Sequence, residues 1–243
     1  MRIAGKLGQQ VCRHALARGW RLSVGVRNPG RLAAGIAEQA QVIAIDLADS
    51  TPESIARWLD GQDVFVFCAG VVTQGAEFVK LFDKAVSAVE RLAPNRRPVC
   101  WFLAGAALLS LDASGRIGVD LPKVRDTYWP HRKNFERLQR SDIDWRLLCP
   151  GPMVNQPPIG LERLRISHEA LPAPLSGLAQ TLPGALVLPL FALKIPEMIV
   201  PYADAASVML THVEADEPCS RQRMGLALPV GMTGKKDQWA AKA

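Results

Sequence analysis

Two glycines and a lysine near the start of the chain form a candidate phosphate-binding loop. Gly5 and Gly8 stand at the spacing of the second and third glycines of a dinucleotide loop, with Lys6 and Leu7 between them. Glycines at these places let the backbone approach a pyrophosphate, and the helix that follows offers its first N–H groups to the phosphates. Arg2 stands where the first glycine belongs, and a simple turn is the alternative interpretation.

Residues at the ends of the predicted second and third strands would select and contact the nucleotide. At the end of the second strand an acidic residue binds the ribose hydroxyls of NAD, whereas an arginine accommodates the 2′-phosphate of NADP. Arg27, followed by Asn28, occupies this position and favours NADP(H) over NAD(H), with a surface arginine as the alternative. Asp46 and Leu47 end the third strand, where they are placed to touch the adenine, although Asp46 is equally placed to hold a turn.

Small residues at three later strand ends would let a cofactor approach the backbone. Ligands of open α/β sheets bind outside the carboxyl ends of the strands. The candidate cofactor-binding residues there are Cys68, Ala69 and Gly70 after the fourth strand, Ala104 and Gly105 after the fifth, and Pro150, Gly151, Pro152 and Met153 after the sixth.

An alternation of apolar strands and amphipathic helices must position these residues. Strands are predicted at residues 21–26, 41–45, 63–68, 98–103 and 143–149, and helices at residues 9–17, 31–39, 50–59, 77–92 and 126–140. Continuous apolar strands between helices indicate a parallel sheet covered on both faces. The sequence therefore predicts an α/β fold with a Rossmann-like, doubly wound parallel sheet. Its first strand is truncated or degenerate, because only Met1 precedes Arg2.

The pattern changes after the sixth strand, where proline becomes frequent. Residues 1–152 are predicted to form an NAD(P)-binding Rossmann domain, and residues 153–243 a small substrate or lid lobe that completes the same domain. A helix near residues 204–213 and a strand near residues 223–228 belong to this lobe. Residues 179–200 are apolar but broken by three prolines, so they are expected to pack over a pocket rather than span a membrane.

Composition excludes several other classes of protein. Apolar residues make up 49% and charged residues 21%, which is ordinary for a globular protein, and the net charge of +6 is scattered without a nucleic-acid motif. The five cysteines match no zinc spacing, so no metal site is expected. Their odd number and the lack of a signal peptide indicate a reducing compartment, and a cytoplasmic location is expected.

Seven segments together resemble one known family. In chain order they are GKLGQQV, ALARGWRLSVGVRNPGRL, DLAD, GQDVFVFCAG, FLAGAALLSLD, HRKNFERLQRSDIDWRLLCPGPMV and IVPYADAASVMLTHV. They resemble the atypical short-chain dehydrogenase/reductase group, and within it the NmrA-like, NAD(P)H-binding branch that includes biliverdin- and flavin-reductase-type proteins. The resemblance covers most of the chain. It implies a Rossmann fold and a nicotinamide cofactor, and it does not specify a substrate.

The catalytic residues implied by this resemblance are incomplete. Typical short-chain dehydrogenases use a serine after the fifth strand and a Tyr-x-x-x-Lys pair, in which the tyrosine is the acid and the lysine lowers its pKa. Here residues 104–107 contain no serine, and Arg132 lies four residues after Tyr128, with the lysine displaced to Lys133. His131 falls where flavin-reductase-like relatives carry a histidine that faces the pocket. Tyr128 and His131 are therefore the candidate catalytic residues, and a partly exposed helix histidine is the alternative for His131.

Three functions are compatible with these residues. The first is an NADPH-dependent reductase that transfers hydride to a flavin, a quinone or a similar small acceptor, because the cofactor carries most of that chemistry. The second is a non-catalytic NAD(P)-binding sensor or regulator of the NmrA type, favoured by the missing serine and the broken Tyr-Lys pair. The third is a relative of the nucleotide-sugar epimerases and dehydratases. A small-molecule acceptor and a monomer or homodimer are expected, without a nucleic-acid partner or a membrane span.

Overall fold

The computed structural model describes residues 5–215 and 217–236 of the 243-residue chain. The strands are β1 (Ser23–Val26), β2 (Gln41–Ala44), β3 (Val64–Phe67), β4 (Val99–Leu103), β5 (Trp145–Cys149), β6 (Met153–Val154), β7 (Arg165–His168), β8 (Val200–Pro201) and β9 (Arg223–Ala227). The helices are α1 (Lys6–Ala17), α2 (Ala34–Ala37), α3 (Pro52–Leu59), α4 (Ala76–Glu90), α5 (Val124–Gln139), α6 (Gly184–Lys194) and α7 (Tyr202–Thr211). The five predicted strands and five predicted helices of the first two-thirds of the chain are all present.

Five of the strands form the main sheet in the order β3-β4-β5-β9-β7. The pairs β3–β4, β4–β5 and β5–β9 are parallel, whereas β7 runs antiparallel to β9 at the edge. Two further parallel pairs, β1–β2 and β6–β8, complete the described strands. The carboxyl ends of the parallel strands of the main sheet therefore share one edge, as the predicted ligand site requires.

Apolar cores lie on both faces of the main sheet, and alternate residues of β4 face them. Cys100 and Phe102 pack into the core that contains the buried side chains of α3, α4 and α5. Trp101 packs into the opposite core with α1 and α7, and its indole N–H donates to the His212 carbonyl at 2.8 Å. Successive side chains of a strand point to opposite faces, so an all-apolar strand fits a sheet covered on both sides. The predicted doubly wound α/β fold is confirmed.

The region after residue 152 contributes directly to the main sheet. Strand β9 pairs with β5, and the unpredicted strand β7 pairs with β9. Helix α7 packs along α1, and its buried Asp204 accepts hydrogen bonds from the backbone N–H of Ile159 at 2.8 Å and of Gly160 at 3.1 Å. The division of the domain at residue 152 stays a prediction, but these two strands are continuous with the sheet that precedes it.

The apolar segment at residues 179–200 contains the short helix α6. Val187 and Phe191 are buried, whereas Leu186 and Leu193 are 56% and 74% exposed. Within residues 5–215 and 217–236, no helix combines the length and the apolar character that a membrane span requires.

The predicted truncated first strand falls on residues 1–4, which lie outside the described residues. Strands β1 and β3, which would flank such a strand, both line a cavity of about 600 Å³. We call it the β1–β3 cavity.

Candidate functional site

The amino-terminal end of α1 begins at Gly5 without a side-chain cap. Gly5 precedes the helix in an extended conformation, with φ −65° and ψ 154°, and no side chain caps the helix. The Gln9 N–H donates to the Gly5 carbonyl at 3.1 Å. The first N–H groups of any helix lack an acceptor within the helix and carry the positive end of its dipole. The first turn of α1 contains no acidic residue. This end of α1 fits a phosphate group.

The Lys6 side chain lies beside α7, whereas the Leu7 side chain lies in the core. The Lys6 ammonium group lies 5.9 Å from the centre of the Tyr202 ring at the start of α7. Leu7 and Gly8 are buried, and Leu7 packs in the core between α1 and α7. The buried Gly8 lines the β1–β3 cavity.

The structure brings Arg27 and Asp46 together at the ends of β1 and β2. The Arg27 guanidinium lies 3.9 Å from the Asp46 carboxylate, and its side chain is 53% exposed. Asp46 also accepts from the Ala48 N–H at 3.0 Å, so it holds a turn as the alternative interpretation expected. Asn28 likewise accepts from the Gly30 N–H at 3.1 Å. Arg27 is therefore the member of this group whose polar end is largely available to a ligand.

Leu47 does not present its side chain to this surface. It is 5% exposed and packs in the core under α3 and α4, and its carbonyl accepts from the Lys84 ammonium group at 3.2 Å. A role for Leu47 in holding a nucleotide would be confined to its backbone.

The loops after β3, β4 and β5 approach each other at the carboxyl edge of the sheet. Gly70 follows β3 with φ +82°, and a Cβ atom there would lie 2.4 Å from the Phe78 ring. The Ala106 N–H donates to the Pro150 carbonyl at 2.8 Å and so ties the β4 loop to the β5 loop. A Cβ atom on Gly151 would lie 2.5 Å from the Met198 carbonyl oxygen. Glycine is thus required sterically at two of the predicted site positions.

The other predicted residues of these loops lie beside them. Cys68 is half-buried and Ala69 is buried at the end of β3, and Ala104 is half-buried after β4. Pro152 precedes Met153, which pairs with Val200 in the small β6–β8 ladder. Their side chains are small or apolar.

His131 faces this edge from α5 and is buried rather than partly exposed. It is 7% exposed, and a Cβ atom on Gly105 would lie 3.6 Å from its Nε2 atom. Burial lowers the pKa of His131 from 6.5 to about 4, because the imidazolium form would lose its hydration. At neutral pH the ring is therefore uncharged and can donate one hydrogen bond and accept another.

Aromatic rings surround His131. Tyr128 stacks on it with ring centres 6.1 Å apart, and Phe78 meets it edge-on at 5.8 Å. Tyr128 and Trp129 are 38% and 37% exposed, and a Cβ atom on Gly75 would lie 3.7 Å from Trp129. The exposed rings border the loop that follows β3, where Val71 is 49% exposed. The site therefore has an apolar, aromatic rim.

The lysine near Tyr128 belongs to a separate group of ion pairs. The Lys133 ammonium group lies 3.0 Å from Glu136, and Arg132 pairs with Asp120. The structure thus records Lys133 in an ion pair with Glu136 and shows no Tyr-Lys contact among the described residues.

Sequence reasoning missed Asn134, which lies one turn after His131 on α5. Asn134 is 3% exposed, and neither its amide oxygen nor its amide nitrogen has a hydrogen-bond partner within the described residues. The Nδ1 atom of His131 is in the same situation. Residues three apart on a helix share a face, so a polar pair at this spacing was the signal available in the sequence. Buried polar groups without partners are costly and mark candidate ligand contacts.

Replacing Asn134 tests this interpretation directly. Leucine has a similar volume and needs no hydrogen bond, so Asn134→Leu is expected to raise the free energy of unfolding by about 1 kcal/mol. Urea unfolding measures the change, and binding of an acceptor should weaken in the same variant. Asn134→Asp serves as the control, because it keeps the shape and adds a buried charge, and it should destabilise the protein. A loss of stability in Asn134→Leu would mean that the amide makes a stabilising contact.

These residues fit a dinucleotide at the carboxyl edge of the sheet. The start of α1, which no side chain caps, suits a pyrophosphate. At Gly70 and Gly151 a Cβ atom would clash with neighbouring atoms, so glycine lets the loops after β3 and β5 pack closely. Arg27 offers a positive charge to a further phosphate. His131 and Asn134 add polar atoms that need partners beside the β4 loop.

Solved structures of low sequence identity share the whole fold. A proposed exported protein from Burkholderia pseudomallei is 22% identical, with a TM-score of 0.66 over 93% of this chain and 96% of that chain. A proposed NADH-flavin reductase from Streptococcus pneumoniae is 16% identical, with a TM-score of 0.66 and the same coverage. A short-chain dehydrogenase/reductase from Veillonella parvula, solved in complex with NADP, is 17% identical, with a TM-score of 0.64 over 98% of this chain and 96% of that chain.

Comparison with family models shows which family the chain belongs to. No curated protein matches it. The model of the NAD(P)H-binding family matches residues 3–173, which is more than half of the 243 residues and includes every strand end described above except those of β8 and β9. This chain therefore belongs to the NAD(P)H-binding family.

Proposed function

We propose that this protein is an NADPH-dependent reductase that transfers hydride to a flat, small acceptor such as a flavin or a quinone. The observation that carries the proposal is the neutral, buried His131 beside Gly105, bordered by the exposed rings of Tyr128 and Trp129. An aromatic rim suits a planar acceptor, since offset stacking of rings is favourable. The solved Streptococcus structure, proposed to be an NADH-flavin reductase, supports this class of acceptor.

Each part of the site has a separate role in this reaction. A nicotinamide cofactor supplies the hydride when it is bound. The α1 end and Arg27 bind phosphates, and the glycines after β3 and β5 keep the site narrow. The neutral His131 ring orients an acceptor by a hydrogen bond rather than by charge, because burial keeps the imidazolium form unpopulated at neutral pH. Tyr128 is the candidate group that stacks on the acceptor and passes it a proton.

A non-catalytic NAD(P)-binding sensor of the NmrA type is the second candidate. Ala104, Ala106 and Ala107 occupy the place of the catalytic serine, and Lys133 pairs with Glu136. An epimerase or dehydratase would need an acid–base pair that these residues do not provide.

Steady-state oxidation of NADPH distinguishes the two candidates. The protein is mixed with NADPH and, in turn, FMN, FAD and menadione, and the loss of NADPH absorbance is followed. Turnover of at least one acceptor is expected, and Tyr128→Ala should lower kcat/KM by about 10-fold through lost stacking and proton transfer. Tyr128→Phe is the matched control that keeps the ring and removes the hydroxyl. NADPH binding by calorimetry without turnover of any acceptor would support the sensor instead.

A further inference from the structure

Three side chains of different chemistry meet in the segment between α7 and β9. The Nδ1 atom of His212 lies 2.8 Å from a carboxylate oxygen of Glu217, and the Sγ atom of Cys219 lies 3.5 Å from the same oxygen. The three ligand atoms all lie within 4.8 Å of one another. An imidazole nitrogen, a carboxylate oxygen and a cysteine sulfur are the kinds of protein atom that bind Zn²⁺.

The spacing of these three atoms suits one bound ion. Bonds of about 2.0–2.3 Å to a tetrahedral ion place two ligand atoms about 3.3–3.6 Å apart. The distance of 3.5 Å between the Cys219 sulfur and the Glu217 oxygen already falls in this range. To admit the ion, the carboxylate oxygen would have to move only about half an ångström away from the His212 ring.

Hydrogen bonds to the neighbouring chain hold the cluster in place. The second carboxylate oxygen of Glu217 accepts from the Glu214 N–H at 2.8 Å. The His212 carbonyl accepts from the Trp101 indole N–H at 2.8 Å, and Cys219 is 2% exposed in the core that contains α7. Hydrogen bonds to a ligating carboxylate orient it for the metal ion, so the cluster already has part of an outer shell.

A buried arginine favours an anionic sulfur at this place. Arg146 of β5 is fully buried, and its Nε atom donates to the Cys219 sulfur at 3.2 Å. Its Nη1 atom has no hydrogen-bond partner among the residues that the structure describes, and its ion pair with Asp144 is 3.5 Å long. A buried guanidinium needs anionic partners, and a neutral thiol is only a weak acceptor. A thiolate bound to a metal ion would meet this need.

The charges of the cluster balance when a divalent ion is bound. The Cys219 thiolate and the Glu217 carboxylate together offset the two positive charges of the ion, and a neutral His212 ring adds none. Arg146 is then balanced by Asp144. On binding, the Cys219 thiol releases one proton to solvent, and bonds form from the sulfur, the imidazole nitrogen and the carboxylate oxygen to the ion.

We propose that His212, Glu217 and Cys219 bind one Zn²⁺ ion, with water in the fourth position. The His212 side chain is 32% exposed, so solvent reaches the cluster. Zn²⁺ suits this mixed set better than Mg²⁺ and Ca²⁺, which take oxygen ligands, or Cu⁺, which prefers sulfur ligands. The site contains one cysteine and so matches none of the cysteine spacings typical of zinc proteins, which is why the sequence did not predict it.

The ion would join the end of α7 to the segment that leads into β9. Residues 212–219 precede β9, so they lie at the amino edge of the main sheet. The candidate cofactor site lies at the opposite, carboxyl edge. An ion at the amino edge stabilises the folded chain and takes no part in hydride transfer. The inference therefore does not rest on the proposed reductase function.

Metal binding by the full chain tests the site. The protein is treated with a chelator, dialysed, and titrated with Zn²⁺ or with Co²⁺ as the only added metal. We expect one ion per chain, a Co²⁺ absorption band that arises from charge transfer from sulfur, and a rise in Tm of about 5 °C when Zn²⁺ is at about 100 times its Kd. The absence of Zn²⁺ binding, or Co²⁺ binding without the sulfur band, would overturn the proposal.

Substitutions then identify the ligands by equilibrium dialysis. Loss of an outer-shell partner weakens metal binding by about 10- to 100-fold, so Cys219→Ala and His212→Gln should each weaken Zn²⁺ binding by at least about 100-fold. Cys12→Ala and His168→Gln are the matched controls, because they remove the same side chains outside the cluster, and they should bind Zn²⁺ as the wild type does. Glu217→Gln keeps the shape of its side chain and should weaken binding by at least about 10-fold even if the other two ligand variants fail to fold. Wild-type affinity in any folded ligand variant would contradict the assignment.

Discussion

Lowering the pH from about 7 to about 4.5 is expected to cost this protein about 2–3 kcal/mol of stability through His131 alone. The pKa of His131 is about 4 in the folded protein and 6.5 for an ordinary histidine. Between these values the unfolded chain binds a proton that the folded chain does not. The free energy of unfolding contributed by His131 is therefore complete above about pH 6.5 and falls as the pH drops toward 4. Burial is the physical cause, since the imidazolium cannot be hydrated between Phe78 and Tyr128.

A comparison of variants isolates this contribution from the carboxylates that titrate over the same range. Urea unfolding is measured at both pH values for the wild-type protein, His131→Leu and Tyr128→Phe. His131→Leu should lose about 2–3 kcal/mol less than the wild type on acidification, whatever its stability at neutral pH. Tyr128→Phe keeps both the stacked ring and the imidazole, so its pH dependence should match that of the wild type. An identical pH dependence in His131→Leu would show that the ring accepts a proton without cost and is not enclosed as described.

The sequence was sufficient to predict the elements because the folding signals are local. β4 reads VCWFL and β5 reads WRLLC, and runs of this kind suit a strand covered on both faces. Thr51 accepts from the Ser54 N–H at 3.3 Å ahead of Pro52, and a hydroxyl residue followed by proline is a typical start of a helix. The proximity of Arg27 and Asp46 could also be predicted, because each follows one of two neighbouring parallel strands and the carboxyl ends of such strands lie at the same edge.

Two features could not be predicted from local signals: the burial of His131 on α5 and the formation of β7 at the edge of the main sheet. The sequence around His131 is largely polar, and a partly exposed helix histidine was the alternative interpretation. Its burial depends on Phe78 and Gly105, which come from distant elements. Strand β7 is RISH, with no apolar run, and it forms because β9 offers an edge on which four residue pairs can form. Contacts distant in sequence decide these features, so a pattern within one segment does not contain them.

Arg27→Ala is expected to weaken NADPH binding by about 10- to 100-fold and to change NADH binding by less than about 3-fold. The proposed partner of Arg27 is the 2′-phosphate, which NADH lacks. Charge-assisted hydrogen bonds of a guanidinium to a phosphate contribute about 1.5–3 kcal/mol, which corresponds to this range of affinity. The 53% exposure of the Arg27 side chain and its long 3.9 Å contact with Asp46 leave the guanidinium able to bind a second anion. Titration calorimetry with each nucleotide measures both changes.

The matched control is Arg31→Ala, four residues further on in the same turn. Arg31 is exposed and adds the same charge to the neighbourhood, so it tests whether general electrostatic attraction explains the effect. Its removal should change NADPH binding by less than about 3-fold. Equal loss of NADPH and NADH in Arg27→Ala would place Arg27 near the pyrophosphate instead of the ribose. No loss of either nucleotide would make Arg27 the surface arginine of the alternative interpretation.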